Sequence, residues 1–181
     1  MLLSNIMLIT PVDDKNNLFL VENVLPTTLI EAIQQEKLLE YNYTRDFSGQ
    51  LSRRVLTYDE ASPFSKIDNF LTDNISTISN AIGKKLVHLS SNIWMDDPEF
   101  HMGIHVDNPG VSIAMQLYLT NGPKDMGTKF YYENDSTMLR YDFPYRLNCG
   151  YIMINEDNQW HGFPKISKSY RVSSYTYLHE E

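Results

Sequence analysis

The sequence predicts a mainly β fold, a sandwich or barrel with flanking helices, and three observations carry that prediction. From Lys85 onward, six or more short segments rich in β-branched and aromatic residues recur within about 95 residues. Turn-forming clusters separate them: Asp97-Pro98, Asn108-Pro109-Gly110, Asn121-Gly122-Pro123 and Asn148-Cys149-Gly150. Ahead of Lys85, apolar residues recur instead at three- and four-residue steps, the spacing of a helix with one buried stripe.

Along the chain, the opening MLLSNIMLITPVDD reads as a strand. It has neither the basic n-region nor the small-residue cleavage site of a signal peptide. Residues 18–25 are β-rich and stop at Pro26, after which Thr27 and Thr28 offer N-caps to a helix carrying Leu29, Ile30, Ile33, Leu38 and Leu39. Residues 41–58 are polar, with Gly49 between two β-prone flanks, and suggest a hairpin or a mobile lid. Pro63 opens a second helix through Ile67, Leu71, Ile75, Ile78 and Ile82, closed by Gly83. Strands are expected at 86–94, 111–119, 128–133, 151–155, 159–163 and 170–178. Without repeats or low-complexity tracts, residues 1–181 read as one domain, 1–85 forming a support of helices and strands and 86–181 the β core.

Composition narrows the function. Fifteen basic against 23 acidic residues give a net charge of −8, which disfavours a nonspecific binder of nucleic acid or of anionic membranes. Arg53-Arg54 and Lys84-Lys85 are only small basic spots. Cys149 is the one cysteine, so no disulfide forms within the chain and no thiolate metal cluster is available, which fits a reducing, cytoplasmic setting. No apolar run approaches the roughly 18 residues of a membrane helix.

Chemistry concentrates on a few residues. In an extended strand, residues two apart share a face, so His105 and Asp107 of His-Val-Asp converge on one point, and the Asn-Pro-Gly turn that follows opens a strand end around them. Trp160-His161-Gly162 supplies a second histidine. Two histidines and one carboxylate on one face of a metal leave the opposite positions open, as non-haem Fe(II) oxygenases require. Arg171, ten residues beyond His161, begins the last strand and shares a face with Ser173. A guanidinium buried there needs a carboxylate: an anionic ligand, or a structural acid such as Glu99 or Asp142. The His101/His105 pair is a weaker metal candidate, because Met102 stands where a metalloprotease helix needs its glutamate. Asp97 reads as a turn residue, and His88 and His179 have no companion at a telling spacing.

Taken together, His105-x-Asp107, His161 and Arg171 resemble the Fe(II)/2-oxoglutarate-dependent dioxygenases, and most of all their prolyl hydroxylase branch. His105-Val-Asp-Asn-Pro109 is similar to the metal-ligand segment of the hypoxia-factor prolyl hydroxylases. Gly127-Thr128-Lys-Phe130 resembles a strand of that family. Collagen-type prolyl hydroxylases carry lysine where this chain has Arg171, so that branch matches less well. The resemblance implies a double-stranded β-helix, a jelly-roll or cupin-like core, with two N-terminal helices on one sheet. It implies Fe(II) on His105, Asp107 and His161, and 2-oxoglutarate held by Arg171 with Tyr118, Ser173 and Thr128. Trp94 falls where the family has a tyrosine near the co-substrate's metal-chelating end. O2 is the oxidant and ascorbate a possible reductant. The implied reaction is hydroxylation of an unactivated C–H, first of all in a prolyl residue of a peptide or protein. A small metabolite, a nucleic-acid base, or a non-catalytic cupin-like binding module are the alternatives.

Overall fold

The computed structural model describes residues 6–15, 17–45, 53–156, 159–164 and 169–181. Two strands open the chain, β1 (Leu8–Pro11) and β2 (Leu18–Glu22), followed by helix α1 (Thr27–Gln34). A hairpin of β3 (Asn42–Arg45) and β4 (Arg53–Thr57) then leads to helices α2 (Ser65–Asp73) and α3 (Ile75–Ile82). The remaining strands are β5 (Leu86–Asp96), β6 (Met102–His105), β7 (Ile113–Tyr118), β8 (Lys129–Tyr131), β9 (Leu139–Asp142), β10 (Cys149–Ile154), β11 (Trp160–Phe163) and β12 (Arg171–Glu180). They form an eight-stranded sheet in the order β1-β2-β10-β7-β12-β5-β4-β3 and a four-stranded sheet in the order β6-β11-β8-β9. Every pairing is antiparallel. This is the double-stranded β-helix expected, and the region 1–85 contributes four of the eight strands in the large sheet.

Burial explains why the central strands read as unbroken apolar runs. All six residues of β7 are buried, because the large sheet is covered on both faces. Met115 and Leu117 join Ile93, Met95, Val172 and Ile152 in the core beneath the helices. Ala114 and Tyr118 point the other way, into aromatic clusters between the sheets that include Phe130, Phe143 and Tyr145.

The helices depart from the sequence reading at their ends. Helix α1 starts with Pro26 at its cap and no capping side chain, and it stops at Gln34, so Leu38 and Leu39 fall in a separate single turn. Neither Thr27 nor Thr28 caps it. The second expected helix breaks into α2 and α3 at Asn74, whose side-chain amide donates to the Phe70 carbonyl at 2.8 Å, a bond that competes with helix continuation. Gly83 closes α3 in the left-handed region, φ 71°, as its position suggests. His88 does have an acidic companion: Asp68 lies 3.0 Å from its Nε2, tying α2 to β5. Within the expected segment 41–58, β3 and β4 pair antiparallel at the sheet edge with Leu56 in the core; residues 46–52 of the expected lid lie outside the described residues. Among the described residues, no helix is long and apolar enough to cross a membrane.

Strand β10 passes so close to β7 that position 150 accepts only glycine: a Cβ there would lie 1.9 Å from the Gln116 carbonyl oxygen. Gly150→Ala should therefore destabilise the protein by about 1–3 kcal/mol or more in urea unfolding. A variant as stable as its parent would contradict the Gly150–Leu117 register.

Candidate metal centre

His105 and His161 meet because β6 and β11 pair with these two residues directly opposite each other. Their rings lie 4.4 Å apart, centre to centre. Asp107 stands two residues past the end of β6, ahead of the Asn108-Pro109-Gly110 turn, and turns Oδ1 toward both rings, 3.7 Å from His105 Nε2 and 3.6 Å from His161 Nε2. The three ligand-type atoms all lie within 4.8 Å of one another.

Each member of this group is held from behind. His105 Nδ1 sits 2.8 Å from the Gly103 carbonyl and His161 Nδ1 2.8 Å from that of Gln159. A carbonyl only accepts, so Nδ1 carries the proton and the Nε2 lone pairs face Asp107. Tyr175 donates its hydroxyl to Asp107 Oδ2 at 2.6 Å. Burial keeps His161 neutral by pushing its pKa down. At His105 burial acts the same way, but the Asp107 carboxylate and the Gly103 carbonyl outweigh it and raise the pKa. Burial raises Asp107, yet the two neighbouring imidazoles and the Tyr175 hydroxyl together hold it below the usual carboxylate range. An ionised carboxylate and two lone pairs converging on one point, each with its outer partner in place, fit a divalent metal.

The group lines one wall of a cavity of about 360 Å³, its mouth included. Arg171 lies on another wall, fully buried on β12. Its Nη2 donates to Gln116 Oε1 at 3.0 Å and Thr128 Oγ1 at 3.2 Å, while Nε and Nη1 have no hydrogen-bond partner. Neither Glu99 nor Asp142 serves it. Asp142 pairs with Lys129, and the nearest acid is Asp96, at 3.9 Å from Nε. Asp96 is taken up by Arg53 through two bonds, of 2.6 and 3.1 Å.

The remaining expected residues divide. Thr128 and Trp94 line the cavity, and Trp94 Nε1 is buried without a partner. Tyr118 and Ser173 stand behind it. Tyr118 exchanges two hydrogen bonds with Thr128, its hydroxyl donating to Oγ1 at 3.2 Å and accepting from the backbone N–H at 2.9 Å. Ser173 accepts from Gln116 Nε2 at 3.0 Å. Of the other acids and histidines weighed in the sequence, Asp97 pairs with Arg54 and His101 is exposed. Gln116, Arg53, Asp96 and Tyr175 went unassigned. Gln116 was visible as the lone amide in an apolar run, and Tyr175 as the next residue on the Arg171–Ser173 face; nothing local marks Arg53 as buried.

Strand β11 passes β6 closely at Gly162, where a Cβ would lie 2.7 Å from the Met102 carbonyl oxygen and 3.0 Å from that of Gly103. Gly162→Ala should push the strands apart and shift the carbonyl that orients His105. We expect Co(II) affinity to fall on the order of tenfold or more. Unchanged affinity in a Co(II) titration would refute this strand-spacing role.

No family model matches the chain, and no curated protein matches it. Solved structures do. An oxidoreductase of the 2OG-Fe(II) oxygenase family from Burkholderia pseudomallei superposes with a TM-score of 0.69 at 10% identity, covering 91% of this chain and 85% of that one. HygX from Streptomyces hygroscopicus, solved with nickel, 2-oxoglutarate and hygromycin B, gives 0.66 at 12% identity over 91% and 83%. A prolyl hydroxylase from Trichoplax adhaerens, in complex with a hypoxia inducible factor peptide fragment, gives 0.65 at 12% identity over 91% and 84%. At these identities the likeness is one of architecture: the chain has the fold of the 2OG-Fe(II) oxygenase structures, prolyl hydroxylases among them.

Proposed function

We propose that this chain is an Fe(II)- and 2-oxoglutarate-dependent oxygenase. One observation carries the reading: a two-histidine, one-carboxylate group shares a cavity with a fully buried arginine that still has two donors unpaired. Ferrous iron with 2-oxoglutarate and O2 supplies the oxidation, turning a C–H bond into C–OH while succinate and CO2 leave.

The chain's own residues would bind, orient and exclude. His105, Asp107 and His161 hold the metal. Arg171 receives the distal carboxylate of 2-oxoglutarate on Nη1, while Nη2 is fixed by Gln116 and Thr128 and Nε lies 3.9 Å from Asp96. Tyr118 and Ser173 keep those two in place, and Trp94 offers Nε1 to an oxygen of the ligand. Charge agrees with this assignment. Arg53 and Arg171 balance Asp96 and Asp107, and imidazoles that ligate a metal carry no charge, so a divalent metal would leave two positive charges that a dicarboxylate dianion cancels.

Anaerobic addition of Fe(II) and 2-oxoglutarate should produce a weak visible charge-transfer band, absent in His105→Ala. A parent protein without that band would count against the site. Arg171→Ala should weaken 2-oxoglutarate binding on the order of a hundredfold (about 3 kcal/mol) and spare the metal. Equal affinity in variant and parent would remove the role of Arg171.

For the substrate, we propose a prolyl residue of a peptide or protein, on the likeness of residues 105–109 to the hypoxia-factor enzymes. HygX, solved with hygromycin B bound, favours a small molecule as the second reading. Assays of a peptide library and of small polar metabolites, run with and without ascorbate, separate the two. Succinate release with gain of one oxygen on proline supports the first, and the same gain on a metabolite supports the second.

A further inference from the structure

We propose that Tyr175 is a positioning residue for Asp107, holding Oδ2 so that the carboxylate meets a metal through Oδ1 alone. The inference depends on the metal-site reading above and concerns how the acid is presented. Asp107 lies beyond the end of β6, where no strand partner fixes its backbone, and a free carboxylate can turn either oxygen, or both, toward a cation. Tyr175 supplies what the loop lacks. It sits on β12 between β5 and β7, directly opposite Asn92 and Gln116, in the middle of the large sheet. Its ring is stacked on Trp94 at 4.7 Å with 2° between the planes and meets Tyr177 edge-on at 5.2 Å. Trp94 in turn lies under the Arg53 guanidinium, at 4.2 Å.

The 2.6 Å bond from this clamped ring to Oδ2 has the length of a charge-assisted hydroxyl–carboxylate hydrogen bond. Burial and the neighbouring Asp107 charge push the Tyr175 phenol well above its ordinary range, so it stays a donor. Oδ1 is left as the oxygen facing both histidines. A rigid sheet thereby fixes the geometry of a ligand carried on a turn.

Tyr175→Phe tests this because it keeps the ring and its stack and deletes only the hydroxyl. Co(II) titration of the metal-free protein, followed by visible absorption, should show affinity tenfold to a hundredfold lower than the parent and a shifted d–d band, with near-UV circular dichroism retained. Ring-fluorinated tyrosine at position 175, a stronger donor of nearly equal volume, should move the band the other way, and it keeps the test open if the phenylalanine variant fails to fold. A parent that binds Co(II), with affinity and band unchanged in both variants, overturns the role of Tyr175 alone. A parent that binds no Co(II) overturns the metal site and this inference together.

Discussion

Arg53, Asp96 and Arg171 occupy one rung of the large sheet, and most of the site depends on that arrangement. Register sets Asp96 opposite Arg53 on one side and opposite Arg171 on the other. Three ionised groups removed from water carry a desolvation cost of several kcal/mol each, which only close pairing offsets. Asp96 answers Arg53 with two short bonds, and Trp94 and Phe100 lie against that guanidinium at 4.2 and 4.6 Å. Arg171 has the weaker claim on the acid. Gln116, Thr128 and the Phe163 ring at 3.8 Å surround it instead. The rung therefore anchors the edge hairpin and leaves one buried cation short of an anion.

That shortage separates this interior from an ordinary sandwich core. Phe130, Phe143 and Tyr151 fill one part of the space between the sheets with closely packed aromatic rings. Elsewhere the inward positions carry Gln116, Thr128, Ser173 and Arg171, all buried and nearly all hydrogen-bonded to one another. Such a network is costly unless complete. Here the incompleteness is confined to Arg171 Nε and Nη1 and, beside them in the cavity, Trp94 Nε1.

Much of this was legible in the sequence, for physical reasons. Strand alternation and turn clusters placed the β core, and the two-residue period put Arg171 and Ser173 on one face, where the structure has them. The HxD spacing brought His105 and Asp107 together although the strand ends at His105. What escaped was set by partners distant in sequence. Asn74 breaks a helix that apolar spacing alone would continue. His88 gains Asp68 from a helix, and Arg53 becomes buried because Asp96 lies across a strand pair. Tyr118 had the right face of the right strand, yet Thr128 reaches its hydroxyl before the cavity does. Pairing across a sheet decides such outcomes, and local sequence does not encode it.

The two sheets divide the labour of the site unequally. His105 and His161 belong to the small sheet, and Arg171, Gln116 and Tyr175 to the large one. Polar bonds between Asp107 and Tyr175 and between Thr128 and Arg171 span the gap. The interlayer spacing is thus a shared coordinate: widening the sandwich would loosen the acid's tether and the arginine's support in one movement. Substitutions among the aromatic rings that set that spacing can consequently retune both halves without touching either.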